Sequence, residues 1–296
     1  SSQKIKTLLA VIEAMVSENN ESKLSKLDSV LLEKEITDLY KERQKSNSIP
    51  TLSDLKNKLT SSKEETLGKI SKILTVWTGD SAYGKLLDGQ GSLTNNSNIC
   101  TFDLKGLSNY PDLQSVMILI LTDYILTQVE NDKTSKKRII LDEAWQLLKS
   151  PQSANFMEYC ARTLRKTGSG ITFITQGIEE IVDSPIGAAI LNNTATKFIM
   201  LQNGDSDILK NALKLNSQEI NLIYSLEQKK GEFSEGFLIK GDRRQVIRIH
   251  PTSYEYWLST SDAKDNQHLD SLLAEGLSLE EAIKNAALKY PQGFSQ

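Results

Sequence analysis

The residues best suited to chemistry stand at the ends of two short apolar runs. Arg138-Ile-Ile-Leu-Asp142-Glu143-Ala144-Trp145 reads as an apolar strand that ends in two acids. A parallel strand delivers such acids to the sheet's C-terminal edge on rigid backbone. There Asp142 can join the shell of a magnesium ion beside phosphates, and Glu143 can orient and deprotonate an attacking water. The plainer reading makes Asp142 a cap of the helix that follows. Ile171-Thr-Phe-Ile-Thr175-Gln176 is a second apolar run that ends in a polar residue. On an adjacent parallel strand, Gln176 projects at the same edge as Asp142. A neutral amide there can hydrogen-bond a γ-phosphate and sense its loss. Its plainer reading is a strand-end glutamine bonded to loop backbone. The two strand ends together favour the chemical reading over the plain one.

Between these runs lies a helix expected over 151–166. Ser150 can cap it, Pro151 suits its first turn, and Phe156, Tyr159, Cys160 and Leu164 form its buried face. At about 100° per residue, Arg162 and Arg165 point away from that face. They are free to reach solvent or to enter a neighbouring subunit's site, where an arginine stabilises charge on a transferring phosphoryl group. Lys166 adjoins them. One string imitates a phosphate-cradling loop: Gly79-Asp-Ser-Ala-Tyr-Gly84-Lys85-Leu86. Leu86 lacks the hydroxyl that binds magnesium, and Asp88-Gly-Gln-Gly lacks a helix whose N-terminus could face phosphates. The chain therefore carries metal-side acids without a recognisable phosphate cradle.

Composition narrows the classes. Among 296 residues, 35 are basic and 38 acidic, a formal net charge of −3; 39% are apolar and 25% charged. That is an ordinary globular balance, with no overall charge that favours nucleic acid or an anionic membrane. The longest apolar run is Val116 to Leu121, far short of the about 20 residues a membrane-spanning helix needs. The start, Ser1-Ser2-Gln3-Lys4, has no signal-peptide pattern, and its lack of Met suits either a processed end or a boundary cut within a longer sequence. Two histidines, His250 and His268, leave no zinc spacing. Cys100 and Cys160 sit among apolar neighbours and read as two buried free thiols of a reducing compartment.

The elements that must position these residues follow from periodicity. Residues 1–76 read as a helical subdomain: the first proline is Pro50, the first glycine Gly68, and leucines and isoleucines recur at helical spacing. Thr51 to Asp54 resembles a helix start. Residues 77–98 are rich in Gly, Asn and Ser and read as loop. Four strand candidates follow, Ile99–Leu104, Arg138–Leu141, Ile171–Ile174 and Phe198–Leu201, with helices near 112–130, 151–166 and 178–193 between them. That alternation implies an α/β fold with a buried parallel sheet flanked by helices. Helical segments near 205–213 and 216–226 precede a hairpin of Phe233–Ile239 and Gln245–Ile249, turning near Gly241-Asp242. The expected division is 1–76, 77–250 and 251–296, the last a tail ending in a helix capped by Ser278 and Glu281.

These residues resemble a known family. Leu141-Asp-Glu-Ala-Trp145, Thr163-Leu-Arg-Lys166, Ile174-Thr-Gln176 and Asp183-Ser-Pro185 are similar to the C-terminal ATPase domain of the TraC-type conjugation ATPases of type IV secretion systems. Pro50 to Leu55 and Tyr83-Gly84 with Leu87-Asp88-Gly89 resemble that family's helical insertion and the loop leaving it; Leu277 to Ala282 resembles its C-terminal helix. The resemblance implies a partial RecA-like P-loop ATPase core with a helical insertion, magnesium and ATP, and a ring-shaped homo-oligomer, a hexamer, with sites between subunits. It implies Asp142 as metal-side acid, Glu143 as catalytic base, Gln176 as phosphate sensor, and Arg162 or Arg165 serving a neighbour. It further implies a cytoplasmic protein, peripheral at a bacterial inner membrane, that works with other secretion components in pilus assembly and in export of DNA or protein. In that family the phosphate loop precedes the helical insertion. This chain is thus expected to be a C-terminal fragment, inactive alone as an ATPase, because backbone amides and the loop lysine supply most of the triphosphate's binding energy.

Two other readings stand beside this one. A nucleotide-independent docking module of the same machine would show exposed apolar patches on the helical subdomain and the C-terminal helix. A related ring-shaped DNA translocase would show a basic stripe. Lys136-Lys137-Arg138, Arg165-Lys166, Lys229-Lys230 and Arg243-Arg244 are basic clusters, but acids are scattered among them, so charge gives DNA little support.

Overall fold

The structure is a computed structural model that describes residues 2–17, 24–45, 47–91, 97–107, 109–143 and 151–294. Ala144, Trp145, Ser150 and the helix expected directly after the acids lie outside the described residues. The chain divides into two compact units, Ser1–Ile139 with Gln146–Thr172, and Ile140–Trp145 with Phe173–Gln296. The division passes through the two strands that carry the candidate site.

The first unit is built mostly from helices: α1 (Ser2–Val16), α2 (Lys26–Lys45), α3 (Leu52–Thr60), α4 (Glu65–Leu74), the short α5 (Gly84–Leu87), α6 (Pro111–Asn131) and α7 (Pro151–Thr163). The expected helix start at Thr51 is a full capping box: Thr51 accepts from the Asp54 amide while the Asp54 carboxylate accepts from the Thr51 amide. Leu32, Leu59, Leu67, Leu74 and Val116 lose essentially all contact with water and share one core. Val116 and Leu113 of α6 belong to that core, so residues 1–76 close it only with help from α6. The Trp77 indole N–H ties the core to α1 by donating to the Met15 carbonyl at 3.0 Å.

On α7, Phe156, Met157, Cys160 and Leu164 are buried. Tyr159, expected on that face, is instead 46% exposed, and Met157 joins the face from its other flank. A short 3₁₀ turn, Leu164–Thr167, continues α7 and stops at Gly168, whose φ of +69° is the left-handed geometry of a helix terminus.

β1 (Arg138–Leu141) and β2 (Gly170–Phe173) form a two-stranded sheet. The Gly170 amide donates to the Lys137 carbonyl and the Ile174 amide to the Leu141 carbonyl, each at 2.9 Å. Both bonds join residues of equal offset, which only a parallel pair can do. The α/β class with a parallel sheet is therefore present, but two of the four expected strands are not part of it. Ile99–Leu104 is coil, with Ile99 83% exposed, so its apolar residues read from sequence as a strand have no ladder to join. The fourth run forms β3 (Thr196–Ile199), paired antiparallel with β5 (Phe233–Lys240) rather than in the parallel sheet. Nor are the parallel strands fully buried: Ile140 and Ile174 stay largely exposed.

The second unit holds the short helices α8 (Glu179–Val182) and α9 (Gly187–Asn193), β3, α10 (Ser206–Leu213), α11 (Ser217–Tyr224), β4 (Gln228–Lys229), β5, β6 (Arg243–Ile249), and α12 (Ser253–Ser259), α13 (Ala263–Ala274) and α14 (Leu279–Lys289). The single helix expected over 178–193 is broken in two at Asp183-Ser-Pro185, where the residue before proline disfavours helical geometry. The β5–β6 hairpin forms as expected; Gly241 alone has positive φ in its two-residue loop, which suits a type II′ turn. Gly236 of β5 leaves room for the Phe198 ring, which a Cβ there would meet at 2.1 Å. Helices α12 to α14 pack around Trp257, Ile283 and Ala286 as a small core of their own. Only α14 was legible in the sequence, although Thr252 and Glu255 form an equally clear capping box at α12.

Candidate functional site

β1 delivers Asp142 and Glu143, and β2 delivers Thr175 and Gln176, at the C-terminal end of the parallel pair. Beyond the last ladder bond the pairing continues through side chains. The Gln176 carboxamide donates from Nε2 to Glu143 Oε1 at 2.7 Å, with the 33-residue offset that also relates Leu141 to Ile174. The register of the ladder is what sets these two polar side chains opposite each other. Glu143 is half-buried and Asp142 and Gln176 are exposed, so the edge is open to a ligand.

Glu143 has φ +50°, a left-handed conformation that is costly for a residue with a Cβ. Its amide donates to its neighbour Asp142 Oδ1 at 3.0 Å. The chain thus turns sharply at the strand end and presents the two carboxylates in succession. A strained backbone at a polar strand end is the kind of feature that marks functional sites.

The donor set can be tested against magnesium and a nucleotide. Among the described residues no three His, Cys, Asp or Glu side chains converge on one point. Magnesium needs no such cage, because it takes one or two carboxylates and fills its octahedron with water and phosphate oxygens. Asp142, exposed beside Glu143, fits that pattern, and the Gln176 amide fits a phosphate oxygen.

The other sequence candidates separate clearly. Arg162 is exposed and pairs with Glu158 one turn back on α7, at 2.7 Å. Arg165 and Lys166 are exposed on the 3₁₀ turn, and among the described residues neither forms an ion pair. The imitation phosphate loop is occupied by its own chain. The Asp88 carboxylate accepts from the Gly79 amide at 2.8 Å and the Ser53 amide at 2.9 Å, and from the Ser53 hydroxyl. Burial alone would push that carboxyl up; these donors and the Leu52 amide outweigh it and hold it below its usual value. Of the basic clusters, Lys137 pairs with Asp132, Lys229 with Glu232, Lys230 with Asp262 and Asp265, and Arg244 with Glu219. These four are neutralised locally, whereas among the described residues Arg165 and Lys166 are not.

A family model described as "TraG P-loop domain" matches residues 3–290. The chain belongs to this family. It is similar to the type IV secretion system protein virB4 of Brucella abortus, with 24% identity over 230 residues that cover 73% of this chain and 26% of the relative. It is also similar to the conjugal transfer protein TrbE of Rhizobium radiobacter, with 28% identity over 137 residues, 46% of this chain and 16% of that protein. The solved structure of VirB4 of Thermoanaerobacter pseudethanolicus matches with a TM-score of 0.67 at 22% identity, over 86% of this chain and 70% of that one. At that identity the likeness is one of fold. The chain spans about a quarter of the length of the virB4 relative it matches. Among the described residues no helix is long and apolar enough to cross a membrane.

Sequence reasoning named the acids and the amide as candidates but passed over the residues around them. Thr175, whose hydroxyl hydrogen-bonds the Glu180 carboxylate, was quoted only as part of a motif. The adjacency of Thr175 and Gln176 to an acidic pair, Glu179-Glu180, was the available signal.

Proposed function

We propose that this chain supplies the strand-end half of a magnesium–ATP site in a type IV secretion ATPase of the TraC type. Asp142 holds the metal shell, Glu143 accepts the proton of the attacking water, and Gln176 hydrogen-bonds the γ-phosphate and registers its loss. Magnesium, when bound, neutralises charge on the phosphates. The observation that carries this reading is the Gln176–Glu143 hydrogen bond, which sets an amide and a carboxylate at one edge of a parallel pair in a member of the TraG P-loop family. The core is read as partly RecA-like, with residues 1–76 as its helical insertion, 77–250 as the ATPase core and 251–296 as a helical tail.

No stretch of the 296 residues supplies the phosphate loop, and Gly79–Leu86 is engaged with Asp88. The chain alone is therefore inactive towards ATP, and the cradle is contributed by other residues of the working protein. That protein assembles as a hexameric ring, with Arg162 or Arg165 directed at a neighbour, on the cytoplasmic side of the bacterial inner membrane. It acts with other secretion components to drive pilus assembly and export of DNA or protein.

The test is made in the host that encodes the chain. Glu143→Gln and Gln176→Ala should each abolish conjugative transfer or secretion while the protein accumulates normally. Undiminished transfer in Glu143→Gln would remove the motor reading. Turnover of magnesium-ATP by the purified chain, lost in Glu143→Gln, would remove the claim of inactivity alone.

A docking role is favoured by one observation: Leu258 on α12 and Leu279 and Leu288 on α14 are 61%, 58% and 85% exposed. Under that reading, replacing these leucines with serine abolishes transfer while ATP turnover by the working protein persists.

A further inference from the structure

Gln176 lies beyond the end of β2, past the last backbone bond of the ladder, the one from Ile174 to Leu141. The ladder sets the register of Gln176 against Glu143, but past its last bond it does not hold the side chain in one direction. What closes the segment is its neighbour. The Thr175 hydroxyl lies 3.1 Å from the Gly177 carbonyl and also against the Glu180 carboxylate. A hydroxyl has one proton to donate, and a charged acceptor outbids a neutral carbonyl. Glu180 therefore takes the bond. Among the described residues Glu180 forms no ion pair, so this half-buried acid is left to hold the hydroxyl. The bond spans the five-residue step that contains Gln176 and ends on α8.

We propose that Glu180, acting through the Thr175 hydroxyl, is a positioning residue that aims the Gln176 amide at Glu143. The proposal rests on the reading of Gln176 as the phosphate-facing amide and adds the residues that hold it ready. Glu180 does not touch the substrate. It fixes the turn from which Gln176 projects, so that the amide meets the carboxylate without having to be ordered when the phosphate arrives, which lowers the cost of forming the site. The alternative is a turn closed for its own sake, with Gln176 held by Glu143 alone.

The two differ in what happens to Gln176 when the clamp is cut. In the full chain labelled with ¹⁵N-glutamine, the Gln176 side-chain signal is assigned by its loss in Gln176→Leu. In the unmodified chain one Nε2 proton should be protected from exchange with water. Thr175→Val keeps the shape of the side chain and removes the hydroxyl, and should speed that exchange about tenfold, the loss of roughly one net hydrogen bond. Glu180→Gln should act in the same direction, and Thr175→Ser should restore protection. The backbone amides of the β5–β6 hairpin, unchanged in each variant, report that the unit is folded; if Thr175→Val fails that control, Glu180→Gln decides. Protection unaltered in the folded variants, or absent from the unmodified chain, overturns the proposal. This readout needs no ATP turnover, so it fails or succeeds separately from the transfer assay.

Discussion

Gln176 donates its side-chain amide to the Glu143 carboxylate at 2.7 Å, at the offset that also relates Leu141 to Ile174. A polar contact between two strand-end side chains thus inherits its register from the backbone ladder below it. A phosphate oxygen at this edge would compete with Glu143 for the same donor, and an amide that changes partner leaves the carboxylate a lone pair for water. Substrate arrival and base release are coupled in this reading by one hydrogen bond.

The left-handed backbone at Glu143 gives the first prediction. A side chain at φ +50° costs about 1 kcal/mol that glycine does not pay. Glu143→Gly should therefore leave the chain as stable as before or up to about 1 kcal/mol more stable, glycine's looser unfolded state offsetting part of the gain. Urea unfolding checks it: an unchanged or higher midpoint is expected, together with loss of transfer in the host. A fall of more than about 1 kcal/mol would mean that the Glu143 side chain is needed for folding, and its strain would lose its functional meaning.

The C-terminal unit depends on a buried acid. Asp265 is wholly shielded from water and accepts from the Tyr256 hydroxyl at 2.5 Å, the Phe294 amide at 2.6 Å and the Thr260 hydroxyl at 3.0 Å, with the Lys230 ammonium at 3.3 Å. Burial pushes its carboxyl up, but these donors outweigh burial and leave it below the usual 3.8. A carboxyl depressed in the folded state stabilises fully above its unfolded value, and that stability is lost as pH falls through the folded value. The Asp265 contribution should thus be intact at neutral pH and fade below about pH 4. Asp265→Asn should cost about 3 kcal/mol at pH 7, because it leaves the donors facing an amide. It should also flatten the acid limb of a stability–pH curve. Equal acid sensitivity in variant and parent would refute the assignment.

How much of this was legible in advance depended on what each residue pattern encodes. Capping boxes at Thr51 and Ser278 and the Gly241 turn were readable because their signals are local. β1 and β2 were readable as runs, and Gln176 as a partner of the acids, because adjacent parallel strands align their ends. The direction of β3 was not readable: Phe198 alternates identically whether its neighbour runs parallel or antiparallel, and its partner, β5, lies far along the chain. Ile99–Leu104 misled for a related reason, since apolar content marks a strand only where a second strand exists to satisfy its backbone. The Thr175–Glu180 clamp was invisible because no pattern fixes how a chain turns after leaving a ladder.

The occupied imitation loop gives a third prediction. Gly84 admits no side chain: a Cβ there would lie 2.5 Å from the Thr78 backbone carbon. Asp88 meanwhile binds the Gly79 amide and the start of α3 at Ser53. Asp88→Ala removes an acceptor from several donors at once and should cost about 2 kcal/mol, at the upper end of cap removals. Gly84→Ala should destabilise by at least as much through backbone displacement. Neither change should alter transfer beyond the effect of lower protein level, because this loop holds no phosphate. If Lys85→Ala abolished transfer at normal abundance, Gly79–Leu86 would have to be reinstated as a nucleotide loop.

The two cysteines give the last prediction. Both were expected to be buried, yet Cys100 lies exposed in coil beside the exposed Ile99, while Cys160 is sealed in the α7 core. Burial pushes the Cys160 thiol up to about 12, so at pH 8 its thiolate fraction is roughly one in ten thousand. A thiol reagent should therefore titrate one fast equivalent from the native chain and a second only as the chain unfolds. Cys100→Ser should remove the fast phase and leave the slow one, whose rate should follow the opening of the first unit and rise with urea. Two fast equivalents in the native chain would show that α7 does not hold Cys160 in its core. The exposed face assigned to Arg162 and Arg165 would fail with it, since the burial of Phe156, Cys160 and Leu164 is what turns those arginines outward.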